Sequence, residues 1–258
     1  MQFTYAQKQD FYRDGYTIAR GVVPPIMIDN ALRAINAWVG EGMDHADMPR
    51  YRAQSYAPEL QKERVITDLV NQTPIISLAE SVMGVGNVPA VTAGQIALRY
   101  PSMIDPPPVP HPHLDGLHTP TNGVPAGEVR NFTMLVVILL SELKAPYSGN
   151  FTVWPGTHHS YEAYFKEHGS GALYKGASEG MPPIELPEPA HILGQPGDVC
   201  FTHYQLGHTA APNVSPHVRY AAIYRLRHAA RPNPDMNIDA LTNLWLEWPG
   251  MAEIVAEK

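Results

Sequence analysis

A chain of 258 residues is long enough to bury a full core, and one elaborated domain is the natural expectation. With 44% hydrophobic and 17% charged residues it reads as an ordinary folded globule, and a formal charge of −7 offers no basic footprint for nucleic acid. The single cysteine, Cys200, excludes an intrachain disulfide, no signal peptide opens the chain, and the longest apolar run, 134–140, is far too short to cross a bilayer, so a cytoplasmic protein is expected.

The first third reads as helical. Thr4 and Gln7 make a capping box that opens a short helix ending near Gly15. Ile28, Leu32, Ile35 and Val39 recur at helical spacing between Pro24-Pro25 and Gly40, predicting a second, amphipathic helix. Thr73-Pro74 looks like an N-cap and first helical position, with Ile75, Leu78, Ala79 and Val82 on one face and Gly84 as the stop. From about residue 90 the texture changes. Segments 91–100, 132–140, 151–154, 198–203 and 217–227 are β-branched or alternating and are separated by Gly and Pro, the pattern of an antiparallel barrel or sandwich. The 26 prolines gather at 101–125, 146–155 and 181–196, which implies long irregular connections. No GxGxxG follows a strand and there is no P-loop, so nucleotide-binding folds find no support.

Seven of the 12 histidines fall in tight groups, His111, His113 and His118, then His158 and His159, then His203 and His208, which makes a metal site worth testing. In an extended chain, residues at i and i+2 point the same way, so His113 and Asp115 can offer an imidazole and a carboxylate to one ion. His111 shares that side, and the H-x-H-x-D run alone leaves the pair open. Gly197-Asp198 begins a turn and strand that lead to His203 and His208, followed by Asn213 and Arg219. Two imidazoles and one carboxylate make the facial triad of non-haem Fe(II) oxygenases, with three positions left for a chelating co-substrate and O₂. An arginine on a neighbouring strand can grip a distant carboxylate with two donors, which lysine does less well.

At these residues the sequence resembles the phytanoyl-CoA dioxygenase family, which includes ectoine hydroxylase-like enzymes. Residues 11–16 with Gly21-Val22-Val23 look like the family's N-terminal helix and strand. His113-Leu114-Asp115 matches its H-x-D motif, and residues 148–158 are similar to its G-x-L-x-x-x-P-G-S-H stretch. Residues 197–208, Asn213 and Arg219 match its C-terminal block, including the eleven-residue step from distal His to Arg. The resemblance implies that His113, Asp115 and His208 bind Fe(II), that Arg219 binds the distal carboxylate of 2-oxoglutarate, and that Gln95 and Arg99 help to hold this co-substrate. His203 lacks the step to Arg219, and His158 and His159 read as loop hydrogen-bonders. The chain departs from the commonest pattern in three places: Leu114 between the ligands, the pair Thr209-Ala210 after the distal His, and Asn150 where a small residue is usual.

The implied architecture is mainly β with flanking helices, a double-stranded β-helix (jelly roll, cupin-like), in a single domain over 1–258. Within it 1–88 is mainly helical support, 89–230 the β-helix core and 231–258 a C-terminal tail. The implied reaction is hydroxylation of an unactivated C–H bond of a small molecule, with O₂ consumed and 2-oxoglutarate released as succinate and CO₂. Asp115 favours hydroxylation, because related halogenases carry a small residue there. A metal-dependent hydrolase or a non-catalytic binding protein on the same fold are the alternatives, but the hydrolase needs no arginine at 219 and binding proteins often lose a metal ligand, whereas all three are kept here. A monomer or homodimer acting on a free small molecule or an acyl thioester is expected, with no nucleic-acid or membrane partner. Trp154, Trp245 and Trp248 read as packing, and Arg225, Arg227, His228 and Arg231 as a solvated basic face. The Pro- and Gly-rich stretches 102–127 and 161–183 are expected to face each other as a lid, with His118 or Thr119 near substrate.

Overall fold

Helix α1 (Tyr5–Asp14) opens on the predicted capping box: the Gln7 N–H donates to the Thr4 hydroxyl and the Thr4 N–H donates to the Gln7 side chain. Gly15, at φ 80°, ends it and turns the chain into β1 (Tyr16–Ala19). The computed structural model describes residues 1–169, 182–233 and 236–257. In it α2 (Pro25–Gly40) buries Ile28, Ala31 and Ile35, as its periodicity predicts. Two helices that the sequence did not announce follow, α3 (Met48–Ala53) and α4 (Arg64–Asn71). In α5 (Ile75–Met83) the expected Thr73 cap is absent: its hydroxyl instead donates to the Leu69 carbonyl at 2.8 Å, closing the end of α4.

The strands are β2 (Gln95–Arg99), β3 (Met134–Leu139) and β4 (Phe151–Val153), then, after helix α6 (Thr157–His168), β5 (Ala190–His191), β6 (Val199–His203), β7 (His208–Ala210) and β8 (Arg219–Leu226). All their pairings are antiparallel. A larger sheet runs β1-β6-β3-β8-β2 and a smaller one β5-β4-β7, so the fold is mainly antiparallel sheet with flanking helices. Residue parity divides the core. Met134, Val136, Ile138, Ala222, Tyr224 and Leu226 pack against the helices, while Leu135, Val137 and Ala221 join Phe151 and Val153 between the sheets. The N-terminal segment is not purely helical, since β1 pairs with β6 from Tyr16↔Thr202 to Ala19↔Val199. The C-terminal residues form short helices α7 (Asp239–Thr242) and α8 (Ala252–Ala256), with Leu241, Trp248, Met251 and Ile254 buried. Of the two expected lid stretches, residues 161–168 belong to α6, and 170–181 lie outside the described residues. Among the described residues no helix is long and apolar enough to cross a membrane.

Candidate metal centre

Backbone pairing brings the two distant histidines together. His113 and His208 form an antiparallel bridge, each N–H donating to the other's carbonyl at 2.9 and 3.2 Å. Directly opposed residues of such a pair project to the same face, and their ring centroids lie 4.7 Å apart. Asp115, two residues on, shares that side: its Oδ1 is 3.4 Å from His113 Nε2 and 3.7 Å from His208 Nε2. One nitrogen or oxygen from each residue lies within 4.8 Å of the others, a spread that a single ion can bridge. His208 Nδ1 is 2.9 Å from the Leu206 carbonyl, which fixes the proton there and leaves Nε2 as the lone-pair donor.

The Asp115 backbone is also fixed. Tyr204 donates its hydroxyl to the Asp115 carbonyl at 3.0 Å. At the next residue, Gly116 (φ 85°), an added Cβ would stand 2.0 Å from the Arg130 carbonyl oxygen, so only glycine fits there. Arg225 was not foreseen. Its Nε and Nη2 donate to Asp115 Oδ2 at 2.9 and 2.7 Å, and its Nη1 donates to Gln95 Oε1 at 2.9 Å. Burial alone would push the Asp115 carboxyl up, but the Arg225 guanidinium and the two imidazoles outweigh it and hold it well below the usual carboxylate range. The His113 side chain is 51% exposed; partial desolvation and the nearby His208 push its imidazole down, against the pull of Asp115.

These groups line a cavity of about 490 Å³ between the sheets, walled also by Ala97, Leu135, Val137, Ala221 and Ile223. Arg219 and Arg99 line it too, as register partners across β2 and β8. Arg219 is only 4% exposed and donates to the carbonyls of Gly149 (2.6 Å) and Ala97 (2.9 Å). Gly149 admits this pair, since an added Cβ would lie 2.8 Å from the Arg99 Cβ and 3.1 Å from the Arg219 Cβ. Burial and the facing Arg99 push Arg219 down to about 9, and burial and Arg52 push Arg99 down to about 10. Both remain cations at neutral pH, and among the described residues neither has a carboxylate partner. The three ligand atoms therefore suit a divalent metal, and the two arginines on the wall of the same cavity suit a carboxylate.

The other candidates go elsewhere. His203 is buried, bonded to the Leu244 carbonyl and the Gln205 N–H, and pushed down to about 4 by burial, so it is a neutral core imidazole away from the triad. His158 and His159 both hydrogen-bond the Tyr12 carbonyl, from the first turn of α6. His111 is exposed. His118 and Thr119 line the cavity, on a segment tied by Asn122, whose amide donates to Leu117 and accepts from Thr119 and Val124. Leu114 points into the core between the sheets, and Asn150 is fully buried, binding the Ser148 N–H and the Ile192 carbonyl. Thr209 and Ala210 line the cavity. Asn213 orders the turn before β8 by donating to the carbonyls of Arg99 and His217. Trp154 and Trp248 are buried and Trp245 stacks on Tyr12, consistent with packing. The reading of 225–231 as a solvated basic face is corrected: Arg225 binds Asp115, and Arg231 is buried against Glu247 at 2.7 Å.

Residues 11–221 match the family of phytanoyl-CoA dioxygenase (PhyH). Comparison with curated proteins returns no match. Among solved structures the chain is similar to SnoK, a non-haem α-ketoglutarate-dependent carbocyclase from nogalamycin biosynthesis, with 19% identity and a TM-score of 0.56 over 87% of this chain and 84% of that one. HygX from Streptomyces hygroscopicus, with nickel and 2-oxoglutarate bound, gives 16% identity and 0.55 over 86% and 85%. EctD from S. alaskensis, with bound Fe, gives 17% and 0.51 over 87% and 75%. At such identities the likeness bears on the fold.

Proposed function

The chain belongs to the phytanoyl-CoA dioxygenase family and is an iron- and 2-oxoglutarate-dependent oxygenase; from that premise we propose that it hydroxylates an unactivated C–H bond of a small molecule. In this reading His113, Asp115 and His208 hold the iron, and Arg219 receives the distal carboxylate of 2-oxoglutarate. One observation carries it: two imidazole nitrogens and a carboxylate oxygen converge on the wall of a cavity that is also lined by Arg219, buried and, among the described residues, without an acid. The iron supplies O₂ activation coupled to decarboxylation of the co-substrate. The chain supplies orientation and a dry site.

Each residue then has a task. His208 is held in the right tautomer by Leu206. Arg219, pinned by two backbone carbonyls, offers its remaining N–H groups without reorganising. Arg99 adds a second cation beside it, and Gln95, whose amide oxygen is taken by Arg225, keeps its N–H groups for the co-substrate. Residues 116–119 and Asn122 line the cavity and help to exclude water. The two facing antiparallel sheets support reading the core as a double-stranded β-helix. A lone buried thiol, Cys200, pushed up to about 12 by burial, fits a cytoplasmic protein, as a monomer or homodimer. The test is anaerobic reconstitution with Fe(II) and 2-oxoglutarate, then exposure to O₂ with a library of small molecules. A substrate is identified when succinate release rises with it and the product gains one oxygen atom. Substrate loss without succinate would contradict the reading.

A further inference from the structure

Arg225 lies on the same face of β8 as Arg219, six residues on, yet it points at Asp115 rather than at a co-substrate carboxylate. Two of its N–H groups converge on a single oxygen, Asp115 Oδ2, while Asp115 Oδ1 is the atom near both imidazoles. Its third contact, to Gln95 on the adjacent strand, braces the guanidinium. A fourth lays it over the Phe132 ring, 5.7 Å from the centroid. The Asp115 side chain is thus clamped by a partner that is itself held from two more sides. An exposed ion pair would do little, but this one is mostly enclosed, at 33% and 14% side-chain exposure.

We propose that Arg225 is a positioning residue for the metal: by engaging Asp115 Oδ2 it presents Oδ1 alone to the ion, in register with His113 and His208 Nε2. This rests on the reading of those three residues as the iron site. A cation 2.7 Å from a ligand carboxylate acts in two opposed ways. Its charge repels the metal, whereas its hydrogen bonds fix the ligand's direction. Partners of metal-bound ligands usually act in the second way, and their removal typically weakens binding roughly 10- to 100-fold. Positioning is therefore expected to prevail here.

Anaerobic titration of Co(II) into the apo protein, followed by calorimetry and by the visible d–d band, separates the possibilities. Wild type should bind one equivalent. Arg225→Met should bind roughly 10- to 100-fold more weakly with a changed d–d band, and Arg225→Lys, which keeps a charge and one donor, should recover part of the loss. Circular dichroism confirms folding, and should Arg225→Met not fold, Arg225→Lys alone carries the comparison. Equal or tighter binding in the folded variants, with an unchanged band, would overturn the positioning role. Absent Co(II) binding in wild type, or binding that survives Asp115→Ala, would instead overturn the metal-site reading beneath it.

Discussion

Replacing Arg219 with leucine tests the co-substrate site in the cavity. The guanidinium is 4% exposed and spends two N–H groups on the carbonyls of Gly149 and Ala97, so its remaining donors form a rigid, charged receptor. A charged hydrogen-bonded contact to a carboxylate is worth about 1.5–3 kcal/mol, so Arg219→Leu should weaken 2-oxoglutarate binding by roughly ten- to a hundred-fold. Arg219→Lys keeps the charge but loses the fork and should fall between. The same leucine also deprives two carbonyls of a donor, and each one left unsatisfied costs about 1–3 kcal/mol, so a lowered melting temperature should accompany the loss. The assay is titration of 2-oxoglutarate into the anaerobic Fe(II) protein, read from the metal-to-ligand charge-transfer band. An unchanged affinity in folded Arg219→Leu would refute the reasoning, the more so if Arg99→Leu abolished binding.

Gly116→Ala should displace Asp115 and weaken metal binding in a titration, because the new Cβ would meet the Arg130 carbonyl at 2.0 Å. His203→Ala should destabilise the core in a thermal melt yet leave metal affinity largely intact, since its ring serves Leu244 and Gln205. Glu247→Ala should lower stability in denaturant unfolding, because the buried carboxylate accepts from Arg231, Thr133 and Asn237 and all three bonds would be lost. Segment 116–122, which lines the cavity, should exchange backbone hydrogens more slowly once 2-oxoglutarate and substrate are bound, as seen by mass spectrometry; equal exchange would remove the lid idea.

The parts of this molecule that the sequence made legible are those whose signal is local. Thr4 and Gln7 sit three residues apart and form the capping box by themselves. His113 and Asp115 need only an extended chain to share a side, and the strand carrying Arg219 is long enough for its alternation to be read. Short strands are another matter: β5 has two residues and β7 three, too few for a period. Helix α6 begins with Thr157, His158 and His159, a polar start after a Pro-Gly turn that reads as loop, and it is long-range packing of Tyr161 and Phe165 that makes it a helix. Arg225 was missed for a related reason. Its partner Asp115 lies 110 residues earlier, so the sequence offered only a basic run. A signal was nonetheless present, because residues 219, 221, 223 and 225 share parity on β8, and a second arginine facing the cavity with Arg219 could have been inferred.

The most direct test of the central claim is Fe(II) binding itself, measured anaerobically with 2-oxoglutarate present, in wild type and in single alanine variants of His113, Asp115, His208 and His203. One iron per chain, with the charge-transfer band developing in wild type and His203→Ala and absent from the other three, is the predicted result. Iron and band retained in His208→Ala but lost in His203→Ala would contradict it.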